Sequence, residues 1–384
     1  MRIAFITFEY PPNIIGGAGV YAEKLTNELV KLGHEVIVFA PGDYPDSLGS
    51  NSSVQVVGVN IKSNFPLQSV QFWLKLPSIL KGVHEKKPFD TVHVNGSSYW
   101  FIPGKIIDIP HVATIHHLSK DSRLIGHDLF SILSFISGEA SIIYQSLQQK
   151  VIRFADRIIA VSNYTKGQIL TTYDYPDNKI TVIHNGYDTS LSLLNEENML
   201  NFRRRFNVDN RPIILFVGRI DDPRKGLDIL LESFSILSKK VDAQLLIVGK
   251  GSKNSVNKKV RDLGIGPKVI ITGYLCSADL ACCYAICDVY VCPSFMEGFG
   301  LTLLEAATFG KRIVASDVGA IPEVAYPGTF LIKPGNVNEL SEAISACLQK
   351  PMTDTSSIKK HLQSYSWSNC AELTSKIYDE MQKY

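Results

Sequence analysis

Short runs of consecutive apolar residues alternate with amphipathic runs along the whole chain, and the alternation restarts once. In the first half the apolar runs lie near Ile3–Phe8, Glu35–Ala40, Val54–Val59, Thr91–Val94, His111–Ile115, Arg157–Val161 and Ile180–Ile183. Several are continuously apolar, which is the pattern of strands covered on both faces. Between them lie helical stretches such as Val20–Leu32, which stops at Gly33 because glycine readily takes the left-handed turn that closes a helix. This βα alternation predicts a parallel sheet with helices on both sides.

Residues 184–211 change character. They run through His184-Asn-Gly-Tyr-Asp, a polar stretch from Asn195 to Asn198 and the basic patch Arg203-Arg204-Arg205. A domain boundary is expected here. Strands are then predicted near Pro212–Val217, Gln244–Val248, Lys268–Thr272, Asp288–Cys292 and Arg312–Ala315. The expected fold class is α/β, with two doubly wound Rossmann-like domains. Ligands in such sheets sit beyond the carboxyl ends of the strands, and the crevice between two such domains is the expected site.

Two stretches fit this pattern less well. Residues 64–86 carry Phe65, Leu67, Val70, Phe72, Trp73, Leu74, Leu76 and Ile79 among lysines, and residues 124–152 contain Leu129–Ile136 and Ile142–Tyr144. Core helices are the preferred reading, since amphipathic helices usually face a core. An acceptor groove or a membrane-surface patch is the alternative.

Composition narrows the class. The 384 residues suit about two domains. A net charge of +2 supplies no basic field for nucleic acid. All seven cysteines lie beyond residue 275 in no disulfide-framework spacing, so reduced thiols and a cytoplasmic location are expected. The apolar start stops at Glu9 and Pro11-Pro12, too soon for a signal peptide. No run approaches the ~18 apolar residues of a spanning helix.

The stretch from Asp288 to Ser316 holds the densest chemistry: strand, loop, helix, strand. Its loop, Glu297-Gly-Phe-Gly, opens directly into a helix that carries Glu305 on its second turn. A helix start fed by glycines offers backbone N–H groups and a positive dipole end, which suits a phosphate. An acid on each side suits sugar hydroxyls. Phe216-Val-Gly218-Arg219-Ile-Asp-Asp-Pro-Arg224-Lys225-Gly226 places cations after another strand, where Arg219 and Lys225 can clamp a diphosphate. The competing reading is a solvated loop whose charges pair with Asp221 and Asp222. Val248-Gly249-Lys250-Gly251 and Thr272-Gly273-Tyr274 add glycine turns at the same sheet edge, as a nucleotide pocket requires.

In the first domain, Gly16-Gly17-Ala-Gly19 opens the first helix without the full G-x-G-x-x-G spacing, so a flexible turn is the competing reading. Thr114-Ile-His116-His117 ends a strand. A neutral histidine there can donate to a sugar hydroxyl or simply pack at the strand end. Cys276, Cys282, Cys283, Cys287 and Cys292 lack paired metal-ligand spacing and are read as core. The chain has no H-E-x-x-H, Walker or G-x-S-x-G stretch, and no Asp-x-Asp for a divalent ion on a diphosphate.

Taken together these residues resemble the family 4 retaining, nucleotide-sugar-dependent glycosyltransferases of GT-B architecture, over essentially the whole chain. The most specific parts are Glu297-Gly-Phe-Gly-Leu…Glu305 and Gly218-Arg219…Lys225-Gly226. Val161-Ser-Asn163, Asn185-Gly186…Asp188 and Ser316-Asp-Val-Gly319-Ala-Ile-Pro-Glu323 also match. The resemblance implies domains at 1–186 and 187–365 facing across a cleft, with a final helix from about Ser366 to Tyr384 crossing back onto the first. It implies a nucleotide-sugar donor, a hydroxyl acceptor, no nucleic acid, no cofactor and no metal, with peripheral membrane association as a further expectation. Glu305 would hold the ribose, Glu297 the donor sugar, and Arg219 and Lys225 the diphosphate. Backbone N–H groups from Gly298 through Phe299 and Gly300 to Leu301 would bind diphosphate or sugar, with Gly249 on the donor and Thr302 helping to choose it. His116 would contact the sugar near the reacting carbon, and Gly16 and Gly17 the phosphates or acceptor. His184, where many relatives have proline, and Lys250, which splits Gly249 and Gly251, depart from the pattern.

Overall fold

The computed structural model describes residues 1–14, 16–44, 54–61, 67–96, 104–118, 148–187, 195–349 and 355–383. The chain divides into two compact units: residues 1–186 with 366–384, and residues 187–365. Asp188 and most of the apolar stretch 124–152 lie outside the described residues, as does the start of the stretch 64–86.

The first unit holds β1 (Arg2–Ile6), β2 (Glu35–Pro41), β3 (Gln55–Val59), β4 (Thr91–Asn95), β5 (His111–Ile115), β6 (Arg157–Ala160) and β7 (Ile180–Val182). They form a parallel sheet in the order β3-β2-β1-β4-β5-β6-β7. Every residue of β4 and β5 is buried, which is why these strands read as unbroken runs rather than alternating ones. β1 ends two residues before the expected Phe8, because the Thr7 hydroxyl bonds the Glu9 backbone and turns the chain. Helices α1 (Gly17–Lys31), α2 (Leu67–Lys86) and α3 (Asn163–Thr172) flank the sheet. In α2, Phe72, Trp73, Leu76 and Leu80 join the core, as the core-helix reading of that stretch requires.

The C-terminal helix Trp367–Met381 belongs to this unit and packs on α1. Its buried Tyr378 hydroxyl bonds His93 Nδ1, and Ser375 Oγ lies 2.8 Å from His34 Nε2. Gly186 has to be glycine here: a Cβ would lie 2.2 Å from the backbone nitrogen of Trp367.

The second unit opens with α4 (Glu196–Phe206), capped by Asn195. β8 (Ile213–Val217), β9 (Gln244–Val248), β10 (Val269–Gly273), β11 (Val289–Cys292), β12 (Arg312–Ser316) and β13 (Phe330–Ile332) form a parallel sheet in the order β10-β9-β8-β11-β12-β13. Between them run α5 (Leu227–Leu237), α6 (Lys253–Asp262), α7 (Ser277–Ile286), α8 (Leu301–Thr308) and the short α9 (Ile321–Val324). Then come α10 (Val337–Gln349) and α11 (Thr355–Leu362). The apolar faces of α5 and α10 meet over β8, β11 and β12 in one core. Both sheets reverse direction of winding beside the first strand, so each has a switch point at β1/β4 or β8/β11, the place at the carboxyl edge where such sheets bind ligands.

Candidate active site

In the second unit the turns after β8, β9 and β10 are stitched edge to edge. Gly218 N–H donates to the Val248 carbonyl at 3.0 Å, Ile220 N–H to Lys250 at 2.9 Å and Gly249 N–H to Gly273 at 3.0 Å. The stitching is close enough to demand glycine, since a Cβ on Gly249 would meet Gly218 O at 1.7 Å. Arg219, Lys225 and Gly249 are thereby fixed at the ends of neighbouring strands.

Asp222 organises the cations of this edge. Its carboxylate caps the short turn Pro223–Lys225 through Arg224 N–H. It takes Arg224 in a two-point grip, Nε to Oδ1 at 3.0 Å and Nη2 to Oδ2 at 2.7 Å, and Arg219 Nη2 at 2.5 Å. Burial would push its pKa up, but Arg224 and then Arg219 outweigh burial and hold the carboxyl well below the usual carboxylate range. The pairing expected for a merely solvated loop therefore exists for Arg219, but the acid is buried and the grip is structural. Lys225 does not join it. Its Nζ lies 2.7 Å from Glu297 Oε2, across from the loop after β11. Burial disfavours the Lys225 charge, and the neighbouring Glu297 outweighs that and raises the lysine's pKa.

The Glu297 loop is held from behind. Ala320 N–H donates to the Glu297 carbonyl at 2.9 Å, and Gly319, at φ +59°, leaves no room for a Cβ, which would fall 2.2 Å from that carbonyl. Gly300 (φ +98°) turns the loop into α8, whose start carries no side-chain cap, although the Leu303 amide is already taken by the Gly300 carbonyl at 3.0 Å. Leu301, Thr302 and Glu305 are partly exposed on α8 while Leu303, Leu304, Ala306 and Ala307 are buried. The Phe299 side chain turns inward, its ring 6.0 Å from that of Tyr365, so this residue offers a ligand its backbone only. Glu305 Oε2 accepts from the Tyr284 hydroxyl at 2.6 Å. Asp222 and Tyr284 carry no signal of function in the sequence, and Gly319 carries only its place in a matching stretch. Asp222 looks like a solvated partner, Gly319 is one glycine in a motif, and Tyr284 is one aromatic in an apolar helix.

In the first unit, Gly16, Gly17 and His116 gather at the ends of β1, β4 and β5. Gly16 N–H donates to Glu9 Oε2 at 2.7 Å, so a side chain already occupies one amide of the glycine turn. His116 Nε2 lies 2.7 Å from Asn95 Oδ1. Asn95 Nδ2 donates to Thr7 Oγ1 at 3.1 Å and to the Ala18 carbonyl at 3.0 Å, which fixes its amide orientation and makes Oδ1 the acceptor. His116 Nε2 therefore carries the proton, and Nδ1 is left as a hydrogen-bond acceptor. This argues against the donor reading of that histidine and leaves the strand-end packing reading in place. Burial pushes the His116 pKa down to about 3, so the ring is neutral. The Tyr21 ring packs edge-on against it at 4.9 Å, and Tyr21 Oη meets Thr114 Oγ1 at 3.0 Å.

The core reading of the cysteines holds for all but Cys276, which is corrected: it lies on the surface, just before α7. Cys282, Cys283, Cys287, Cys292, Cys347 and Cys370 are buried and Cys276 is exposed, all as free thiols. No cluster of three metal-ligating side chains occurs among the described residues.

Two family models match the chain: Glycosyltransferase Family 4 over residues 15–191 and Glycosyl transferases group 1 over residues 211–350. Between them the two models span most of the chain, which is a glycosyltransferase of the kind both describe. An uncharacterized glycosyltransferase of Methanocaldococcus jannaschii is 29% identical, with 98% of each chain covered. The MMP alpha-(1->4)-mannosyltransferase of Mycolicibacterium hassiacum is 27% identical over 99% of this chain and 98% of its own. Among solved structures, Anabaena HepE in complex with UDP and glucose is 21% identical, with 99% of each chain covered and a TM-score of 0.73. The fold of this glycosyltransferase is the pair of Rossmann-like domains of the GT-B class, and its cationic strand ends and uncapped α8 lie in the part matched by the group 1 model.

Proposed function

We propose that this glycosyltransferase moves a hexosyl unit, with retained configuration, from a UDP-, GDP- or ADP-linked sugar to a hydroxyl of a sugar, polyol or lipid-linked acceptor, without a metal ion. The observation that carries the reading is the Lys225–Glu297 pair at 2.7 Å, set beside Arg219 and an uncapped helix start. A cation held between a sugar-facing acid and a diphosphate seat suits stabilisation of the leaving group as the C1–O bond to phosphate breaks. Glu297 and the α8 amides grip sugar and diphosphate, and Glu305 grips the ribose. His116 Nδ1 accepts from a sugar hydroxyl. The acceptor oxygen bonds C1 on the face the phosphate leaves, and its proton passes to the departing phosphate oxygen. UDP and glucose in the Anabaena structure support a nucleotide-sugar donor. The metal-free reading rests on the absence of Asp-x-Asp in the sequence and on the two cations.

We place the enzyme in the cytoplasm, with the inner face of the membrane as the setting for a lipid-linked acceptor. No helix among the described residues is long and apolar enough to cross a membrane. The test incubates the protein with UDP-, GDP- and ADP-sugars, with and without candidate acceptors and with EDTA, and measures nucleoside diphosphate release. Acceptor-dependent release that survives EDTA, with an anomeric configuration matching the donor, is expected. Binding without release under every acceptor would mean an inactive sugar-nucleotide-binding module instead.

A further inference from the structure

We propose that Tyr284 is a positioning residue for the ribose of the nucleotide donor and acts through Glu305. This rests on the reading above, in which Glu305 holds the ribose hydroxyls. Tyr284 sits on α7, fully buried, with its ring stacked on Phe309 at 5.9 Å and edge-on to Tyr290 at 5.8 Å. Two rings thus fix the direction of its hydroxyl, which reaches Glu305 Oε2 at 2.6 Å. Burial first, and the Glu305 charge next, raise the phenol's pKa well above its ordinary value, so it stays a donor at every working pH. A glutamate on a partly exposed helix face has three side-chain torsions to spread over. A cis-diol is gripped by both carboxylate oxygens only when the carboxylate plane is set. A rigid charge-assisted donor on one oxygen selects that plane and lowers the ordering cost of binding.

The test compares the wild type, Tyr284→Phe, Glu305→Ala and the double variant in direct binding to UDP, GDP and ADP and to their 2′,3′-dideoxy counterparts. Phenylalanine keeps the ring packing, and a thermal melt of each variant reports folding separately. Tyr284→Phe is expected to weaken binding of the preferred ribonucleotide about fivefold or more while leaving its dideoxy form within about twofold, as for loss of a bond to a charged group. The same variant should raise KM for the donor with little change in kcat. In the double variant Tyr284→Phe should add nothing to Glu305→Ala. If Glu305→Ala fails to separate ribose from dideoxyribose, the ribose assignment of Glu305 is wrong, and the proposal goes with it. If Glu305→Ala separates them but Tyr284→Phe weakens both ligands alike, or neither, Tyr284 is a packing residue and the proposal alone is overturned.

Discussion

His116 donates Nε2–H to Asn95 Oδ1 at 2.7 Å, and Asn95 is itself oriented by Thr7 and the Ala18 carbonyl. A core amide thus decides which nitrogen of a strand-end histidine is left as an acceptor. Replacing Asn95 by alanine frees the ring to flip and to take the other tautomer. Turnover is expected to fall about tenfold, less than the ~10²- to 10⁴-fold that a proton-transferring group itself contributes. Nitrogen NMR of labelled histidine should show an unprotonated Nδ1 in the wild type and a mixture in Asn95→Ala. A wild-type ring protonated on Nδ1 would overturn the assignment.

Lys225→Ala and Arg219→Ala are each expected to cut turnover by at least ~10²-fold, as for lost charge partners of a leaving group. Their effects on folding should differ. Arg219 leaves Asp222 with its two-point partner Arg224, so the stability cost stays within about 1 kcal/mol. Asp222→Ala instead removes a buried acceptor shared by two arginines together with the cap of the Pro223–Lys225 turn, and should cost about 3 kcal/mol or more. Near-normal turnover in either cation variant would sink the diphosphate assignment.

Gly319→Ala tests the support behind Glu297. The new methyl would stand 2.2 Å from the Glu297 carbonyl at a positive φ. Strain and overpacking together should cost about 2 kcal/mol or more. Because the loop has to yield, donor binding should weaken as well. A denaturant melt and a donor titration on the same sample check both.

Acid should weaken the first unit. Burial pushes His93 and His116 from 6.5 down to about 3, and His111 to about 4. The unfolded chain takes up these protons near pH 6.5 while the folded chain refuses them. Their contribution is therefore complete above that pH and is lost as the pH falls from 6.5 towards 3. From pH 7 to pH 5 each such histidine removes roughly 2 kcal/mol. Urea melts at the two pH values should differ accordingly, and a variant lacking His93 should show a shallower dependence. Equal midpoints would contradict the buried neutral state.

The central strands were legible because burial on both faces writes them as unbroken apolar runs; β9, Gln244–Val248, is an example. β13 was missed. Its three residues Phe330–Ile332 are too few for a pattern, and Leu331 is 41% exposed at the sheet edge. The charged site residues stood out because Glu297, Glu305, Arg219 and Lys225 sit beside glycines after strands. Their supports did not. Whether Asp222 is solvated or buried, and whether Tyr284 packs or donates, depends on what long-range folding brings beside them. The tautomer of His116 depends likewise on Asn95, 21 residues away in the chain.

The closure of Gly186 on Ser366 and Trp367 makes the second unit a domain insertion. Two adjacent backbone segments are the doorway through which all of residues 187–365 leave and return. The first unit is consequently discontinuous in sequence, and a fragment stopping at 186 would lack the helix that covers Tyr21 and satisfies His93. Residues 187–365 can therefore be excised or replaced at two neighbouring splice points without cutting the sheet that carries His116.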